Sequence, residues 1–150
     1  MYNIEEYDTE KTKVLKYALY KKRTVREIKT KFRGIINEDM LENIIEELKE
    51  NGYIGDEQYI QRAVNEYMAL KNLSIKELKY KLSSKGISQR LIEDYISKNL
   101  EELEEYERKS AENIAIKKSV NMDEQDIKIY LIKKGYKEEN IKDAIEIIEE

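Results

Sequence analysis

The feature that most limits what this chain can fold into is an internal register of helix-start signals. Thr24, Ser74 and Asp123 stand 50 and 49 residues apart. Thr24 lies three residues before Glu27, and Ser74 three before Glu77, which is the capping box in which a hydroxyl and a carboxylate satisfy the free amides of a first helical turn. Asp123 and Asp126 repeat the spacing with acids. In this register Ile28 falls on Leu78 and Ile127, Phe32 on Leu82 and Leu131, and Lys29 on Lys79 and Lys128. Repeats of about this length are supersecondary units that stack on one another.

Each unit reads as three helices. Apolar residues three and four apart mark them: Val14, Leu15, Ala18 and Leu19; Val25, Ile28 and Phe32; Leu41, Ile44, Ile45 and Leu48. The second copy supplies Tyr59, Ile60, Ala63, Val64, Tyr67 and Met68, then Ile75, Leu78 and Leu82, then Leu91, Ile92, Tyr95 and Ile96. The third has Leu103, Ala111, Ile114 and Ala115 on a long polar helix, then Ile127 with Leu131, then Ile141, Ala144, Ile145 and Ile148. Gly52, Gly86 and Gly135 end helices before an apolar residue expected to fold back on the last turn. Gly34 is out of step with them and predicts a different turn. With no Pro and only five Gly in 150 residues, long irregular loops are disfavoured.

The expected fold is all-α, with three tandem three-helix repeats (nine helices) stacked into an elongated, gently curved array. The boundaries are an acidic N-terminal tail over 1–8 and repeats over 9–52, 53–100 and 101–150. Modules this small are expected to bury their stripes against neighbours, and helices of roughly 15–24 Å give an array on the order of 60–70 Å long.

Composition narrows the chemistry. The chain has no Cys and no His, which removes thiolate nucleophiles, imidazole bases, disulfides and the usual zinc ligands. No catalytic residue, cofactor or metal is expected; Glu46 with Glu47 lacks the loop spacing of a cation site. The start, MYNIEEYD, is not that of a signal peptide, and no apolar run approaches a membrane span. A cytoplasmic monomer is the expectation.

Charge follows the repeat. Residues 9–34 carry a balance of +8, 35–66 of −7, 71–90 of +5 and 91–107 of −6, all inside a net charge of −4. Basic second helices thus alternate with acidic third helices, a segregation that orients a partner. The candidate contacts are Lys21, Lys22, Arg23, Arg26, Lys29, Lys31 and Arg33 in the first copy. Lys76, Lys79, Lys81 and Lys85 follow in the second, and Lys128 in the third. Tyr59, Tyr67 and Tyr95 lie on apolar stripes and read as core; Tyr20 and Tyr80 do not, and leave a stacking role open.

The segments TVREIKTKF, LKENGYIGDEQYIQRAV, SIKELKYKLSSKGISQRLIEDYI and IKIYLIKKGYKEENIKDAI, in that order, resemble the RecX family of bacterial recombination regulators from about Val14 to Ile148. The resemblance implies a stack of three three-helix repeats that binds the RecA recombinase along its filament on single-stranded DNA. It also implies inhibition of ATPase and strand exchange, without catalytic residues. Gly55 stands where that family usually has Asp, with Asp56 expected to cap the fourth helix instead, and Tyr67 occupies a place where a basic residue is common. The alternative is a helical nucleic-acid-binding module acting directly on DNA. Its recognition helices would carry Glu42, Glu46, Glu47, Glu93 and Asp94, which phosphates repel.

Overall fold

A computed structural model describes residues 3–150. Among the described residues the chain forms nine α-helices and no strand. They are α1 Ile4–Tyr20, α2 Val25–Phe32, α3 Glu38–Glu50, α4 Asp56–Leu70, α5 Ile75–Ser84, α6 Gln89–Lys98, α7 Leu100–Lys118, α8 Glu124–Lys133 and α9 Glu138–Glu149. The stretch read as an acidic tail is helical from Ile4, because Asn3 caps α1 by accepting the Glu6 N–H, and Glu5 and Glu6 favour the positive end of the helix.

Both capping boxes form, at Thr24 with Glu27 and at Ser74 with Glu77. Asp123 caps α8 by accepting the Asp126 N–H. The stops at Gly52, Gly86 and Gly135 share one hydrogen-bond pattern. The glycine N–H reaches the carbonyl three residues back, and the next N–H reaches five back, as in Tyr53 to Leu48, Ile87 to Leu82 and Tyr136 to Leu131. Ile87 and Tyr136 fold onto the core as expected; Tyr53 is half exposed, and Ile54 is buried in its place. The turn at Gly34 is indeed different. The Ile35 and Ile36 amides both donate to the Phe32 carbonyl, and a backbone bridge joins Arg33 to Ile36.

The apolar residues gather in three clusters, one per three-helix unit. Val14, Ile28, Phe32, Leu41, Ile45 and Leu48 belong to the first, Ile60, Val64, Leu78, Leu82, Ile92 and Ile96 to the second, and Ala111, Ala115, Ile127, Leu131, Ile141 and Ile145 to the third. The repeat-equivalent Ile28, Leu78 and Ile127 are each wholly buried, a placement that stabilises a module by roughly 1.5–3 kcal/mol per side chain. Each module therefore buries most of its stripe within itself, and the expectation that stripes are covered by neighbours is corrected. Neighbours contribute at the edges: Ile54 closes the first cluster and Leu103 the second. Leu19, read as part of the first stripe, is 59% exposed, since Val14 and Ala18 already fill the face that α1 turns to α2 and α3.

Candidate partner-binding surface

Two seams join the three modules, and both use the same device. The Thr24 hydroxyl accepts the Glu27 N–H and donates to the Lys85 carbonyl at 2.8 Å. The Ser74 hydroxyl accepts the Glu77 N–H and donates to the Lys134 carbonyl at 2.6 Å. Lys85 and Lys134 are the C-caps of α5 and α8. The short helices are thus joined end to end, the C-terminal end of one module's short helix seated on the N-terminal end of the preceding one. That arrangement aligns opposite ends of their dipoles, and it explains the residue types. A hydroxyl can accept and donate at once, whereas the carboxylate of Asp123, which meets no further module among the described residues, only accepts.

A carboxylate from the following module completes each seam. Asp56 accepts the Val25 N–H at 3.0 Å instead of capping α4, whose N-cap is Gly55 without a side-chain bond. At the second seam Glu107 is 0% exposed and accepts three bonds, from the Ile75 N–H at 2.9 Å, the Lys137 N–H at 3.2 Å and Asn140 Nδ2 at 2.5 Å. Tyr106 adds to it by donating to the Lys71 carbonyl and accepting the Leu73 N–H, and Asn113 pairs with Asn72. Burial pushes the Tyr106 phenol upward in pKa, and burial pushes that of Tyr136 well above the ordinary tyrosine range, with the nearby Glu77 carboxylate acting in the same direction. The importance of Glu107 was not read from the sequence, although one signal was present: it falls between Leu103 and Ala111 at helical spacing, on the buried stripe of α7.

The candidate cations divide among three situations. Arg26 and Lys76 serve the seams. The Arg26 guanidinium donates to the Ser84 carbonyl, and its stem lies so close over Gly86 that a Cβ there would sit 2.4 Å from Nε. The Lys76 stem covers Gly135 in the same way, at 3.0 Å from a would-be Cβ. Lys85 lies 3.8 Å from Glu27 across the first seam, and Lys22 pairs with Glu66 across it.

A second group is paired within its own module. Lys29 meets Glu42 at 3.3 Å and Lys79 meets Glu93 at 3.1 Å, the same link from second to third helix in two copies. Lys142 occupies the corresponding place in the third copy, and Lys128 pairs along its own helix with Glu124 at 3.7 Å. Arg23 stacks over the Tyr17 ring at 3.9 Å and donates to the Tyr17 carbonyl, Lys31 lies 5.8 Å from the same ring, and Lys81 lies 5.6 Å from that of Tyr67.

Lys21 and Arg33 form the third group, exposed and in no ion pair among the described residues. The twelve cations do not converge on one patch. Arg33 and Lys29 line an open groove between α2 and α3 floored by Ile36 and Leu41, and Lys128 lines its counterpart between α8 and α9 with Ile132 and Ile141. The tyrosines divide as expected: Tyr59 is buried, which pushes its pKa up to about 12, and Tyr67 and Tyr95 pack on the second core. Tyr20 and Tyr80 are 84% and 75% exposed.

Fold and surface define a class: tandem three-helix modules joined through helix ends, with exposed cations and open grooves on the outside. No family model matches the chain. It is similar to the regulatory protein RecX of Streptococcus mutans, at 33% identity over 87 residues, covering 57% of this chain and 34% of that protein. The matched stretch thus spans about a third of that relative's length. The crystal structure of RecX from Lactobacillus salivarius superposes with a TM-score of 0.81 and 25% identity, over 98% of this chain and 99% of that one. A second crystal structure, of a regulatory protein RecX, shares the fold with a TM-score of 0.77 at 22% identity, over 91% of this chain and 71% of its own. In sequence over the matched stretch, and in fold over nearly its full length, the chain is similar to proteins named RecX. No helix among the described residues is long and apolar enough to cross a membrane.

Proposed function

We propose that this protein is a non-enzymatic regulator that binds the RecA recombinase, or its filament on single-stranded DNA, and lowers its ATPase and strand-exchange activity. The observation that carries this reading is the likeness to a RecX crystal structure over nearly the full length of both chains. The form of the molecule supports it: three similar modules, the first and third with similar outer grooves, suit a partner that also repeats. Exposed cations at Lys21 and Arg33, and the half-exposed Lys29, Lys79 and Lys128, give it a means of meeting acidic protein surface or phosphate. The proposed site is therefore the basic outer surface of the first two modules, with Arg26 and Lys76 reassigned to holding the modules together.

Co-sedimentation tests binding. Filaments of the cognate RecA assembled on single-stranded DNA are pelleted with the protein present. Retention in the pellet that depends on RecA is expected; a protein that stays in the supernatant at several-fold molar excess contradicts the reading. Pelleting with DNA alone to the same extent would favour the DNA-binding alternative.

A further inference from the structure

The two module boundaries differ in construction. Between α3 and α4 lies the loop Asn51–Gly55, with a glycine at 52 and another at 55, and Gly52 holds a φ of 79°. Between α6 and α7 lies Asn99 alone, whose N–H and side-chain amide both return to the end of α6. Module 2 passes into module 3 almost without leaving the helix, whereas module 1 is attached by a loop whose glycines leave its backbone few steric limits.

The seams differ in the same direction. Ile54 is buried at the first as Leu103 is at the second, but the second also buries Leu73 and Ile75, around a carboxylate wholly removed from water. At the first, Val25 is only half-buried and Asp56 accepts one amide. The ion pairs that cross it, Lys22 with Glu66 and Lys85 with Glu27, have side chains 33% and 53%, and 45% and 27%, exposed. Pairs with this much exposure are weak and lose strength as salt rises. Polar contacts that cross a boundary join neighbouring modules, so module 1 is held through this seam and its loop.

We infer that module 1 is hinged on a rigid body formed by modules 2 and 3. The Asn51–Gly55 loop is the hinge, and the cluster of Lys22, Arg26, Asp56 and Lys85 is the catch. Opening the catch releases Lys22, Arg26 and Lys85 from Glu66, the Ser84 carbonyl and Glu27. These are cations that an acidic surface would compete for. This last step rests on the proposed RecA reading; the hinge does not, and it is measured on the protein alone.

The chain has no Cys, so pairs of introduced cysteines accept spin labels cleanly. Thr30→Cys with Ser97→Cys spans the first seam, and Ser97→Cys with Gln125→Cys spans the second, all three positions being exposed. At low salt both distance distributions are expected to be narrow. At ~1 M salt, where screening acts within ~3 Å, the first should broaden and shift to longer distance while the second stays unchanged. The double substitution Arg26→Ala with Asp56→Ala should produce the same broadening at low salt, with helix content preserved by circular dichroism. If that variant does not fold, the salt titration of the parent decides alone. A first distribution that stays narrow at ~1 M salt overturns the hinge, and equal broadening of both pairs overturns the rigid body. Adding RecA filaments should broaden the first pair as salt does. Filaments that pellet the protein yet leave the distribution narrow would overturn the competition while leaving the function standing.

Discussion

Replacing Glu107 with Gln keeps the shape of the side chain and exchanges one acceptor oxygen for a donor NH2. In the structure Oε1 takes the Ile75 N–H, and Oε2 takes both the Lys137 N–H and Asn140 Nδ2. The amide oxygen of Gln can keep the first bond. Its NH2 then faces two donors; Asn140 can turn its amide to accept, but the new amide hydrogen turned toward the Lys137 N–H is left without a partner on a side chain closed to water. One orphaned buried donor costs ~1–3 kcal/mol, and loss of the charge-assisted bonds adds about 1 more. The expected loss is therefore about 2–4 kcal/mol, or roughly 5–12 °C in melting temperature for a chain of this size. Asp56→Asn makes the comparison, because its one bond, to the half-buried Val25 amide, survives on the Asn oxygen; the loss there should stay within about 0.5 kcal/mol. Urea titrations followed by far-UV circular dichroism read both. A Glu107→Gln variant within about 0.5 kcal/mol of the parent would refute the assignment of this carboxylate as the buried acceptor that ties α7 to the start of α9 beside the second seam.

Three further outcomes are expected. Gly86→Ala should lower the urea midpoint more than Gly52→Ala. Both hold positive φ, at about 1–2 kcal/mol for a Cβ there, but only at Gly86 would the new Cβ collide with the Arg26 stem; equal midpoints would remove that contact from the account. Raising the pH should weaken the fold. Burial holds the phenols of Tyr59, Tyr106 and Tyr136 above their ordinary value, so the folded state keeps protons that the unfolded chain releases near pH ~10. Stability is then flat below about pH 10 and falls above it, by roughly 2–3 kcal/mol from Tyr59 alone as its folded value is passed. Urea midpoints at about pH 8 and about pH 11 check the sign, and an equal or higher midpoint at the alkaline end contradicts it. Finally, Lys21→Glu with Arg33→Glu should reduce RecA-dependent pelleting more than Lys29→Glu with Lys79→Glu, whose targets are already paired with Glu42 and Glu93; the reverse order would relocate the site.

What the sequence made legible is what depends on near neighbours in the chain. The capping boxes at Thr24 and Ser74, the glycine stops and the spacing of Ile28, Phe32, Leu41 and Ile45 all act within a few residues, and each appears in the structure as written. The seams were not legible because their partners lie far away in sequence. Thr24 donates to a carbonyl 61 residues on, and Arg26 to one 58 residues on, so an arginine in a basic run read as a partner contact. Asp56 looked like a cap because it opens a helix, yet a neighbouring module holds the amide it takes. Glu107 sits among other acids in LEELEEYER; only its place on the stripe of α7 separates it from the solvated ones around it. Charge runs, being compatible with both solvent and structure, were the least informative guide to the site.

Whether these modules restrain RecA is decided by a titration of DNA-dependent ATP hydrolysis. Cognate RecA on single-stranded DNA is held at fixed concentration while this protein is added. Hydrolysis is expected to fall at substoichiometric protein, and the Lys21→Glu, Arg33→Glu variant to need more protein for the same effect. Hydrolysis unchanged at several-fold molar excess would contradict it.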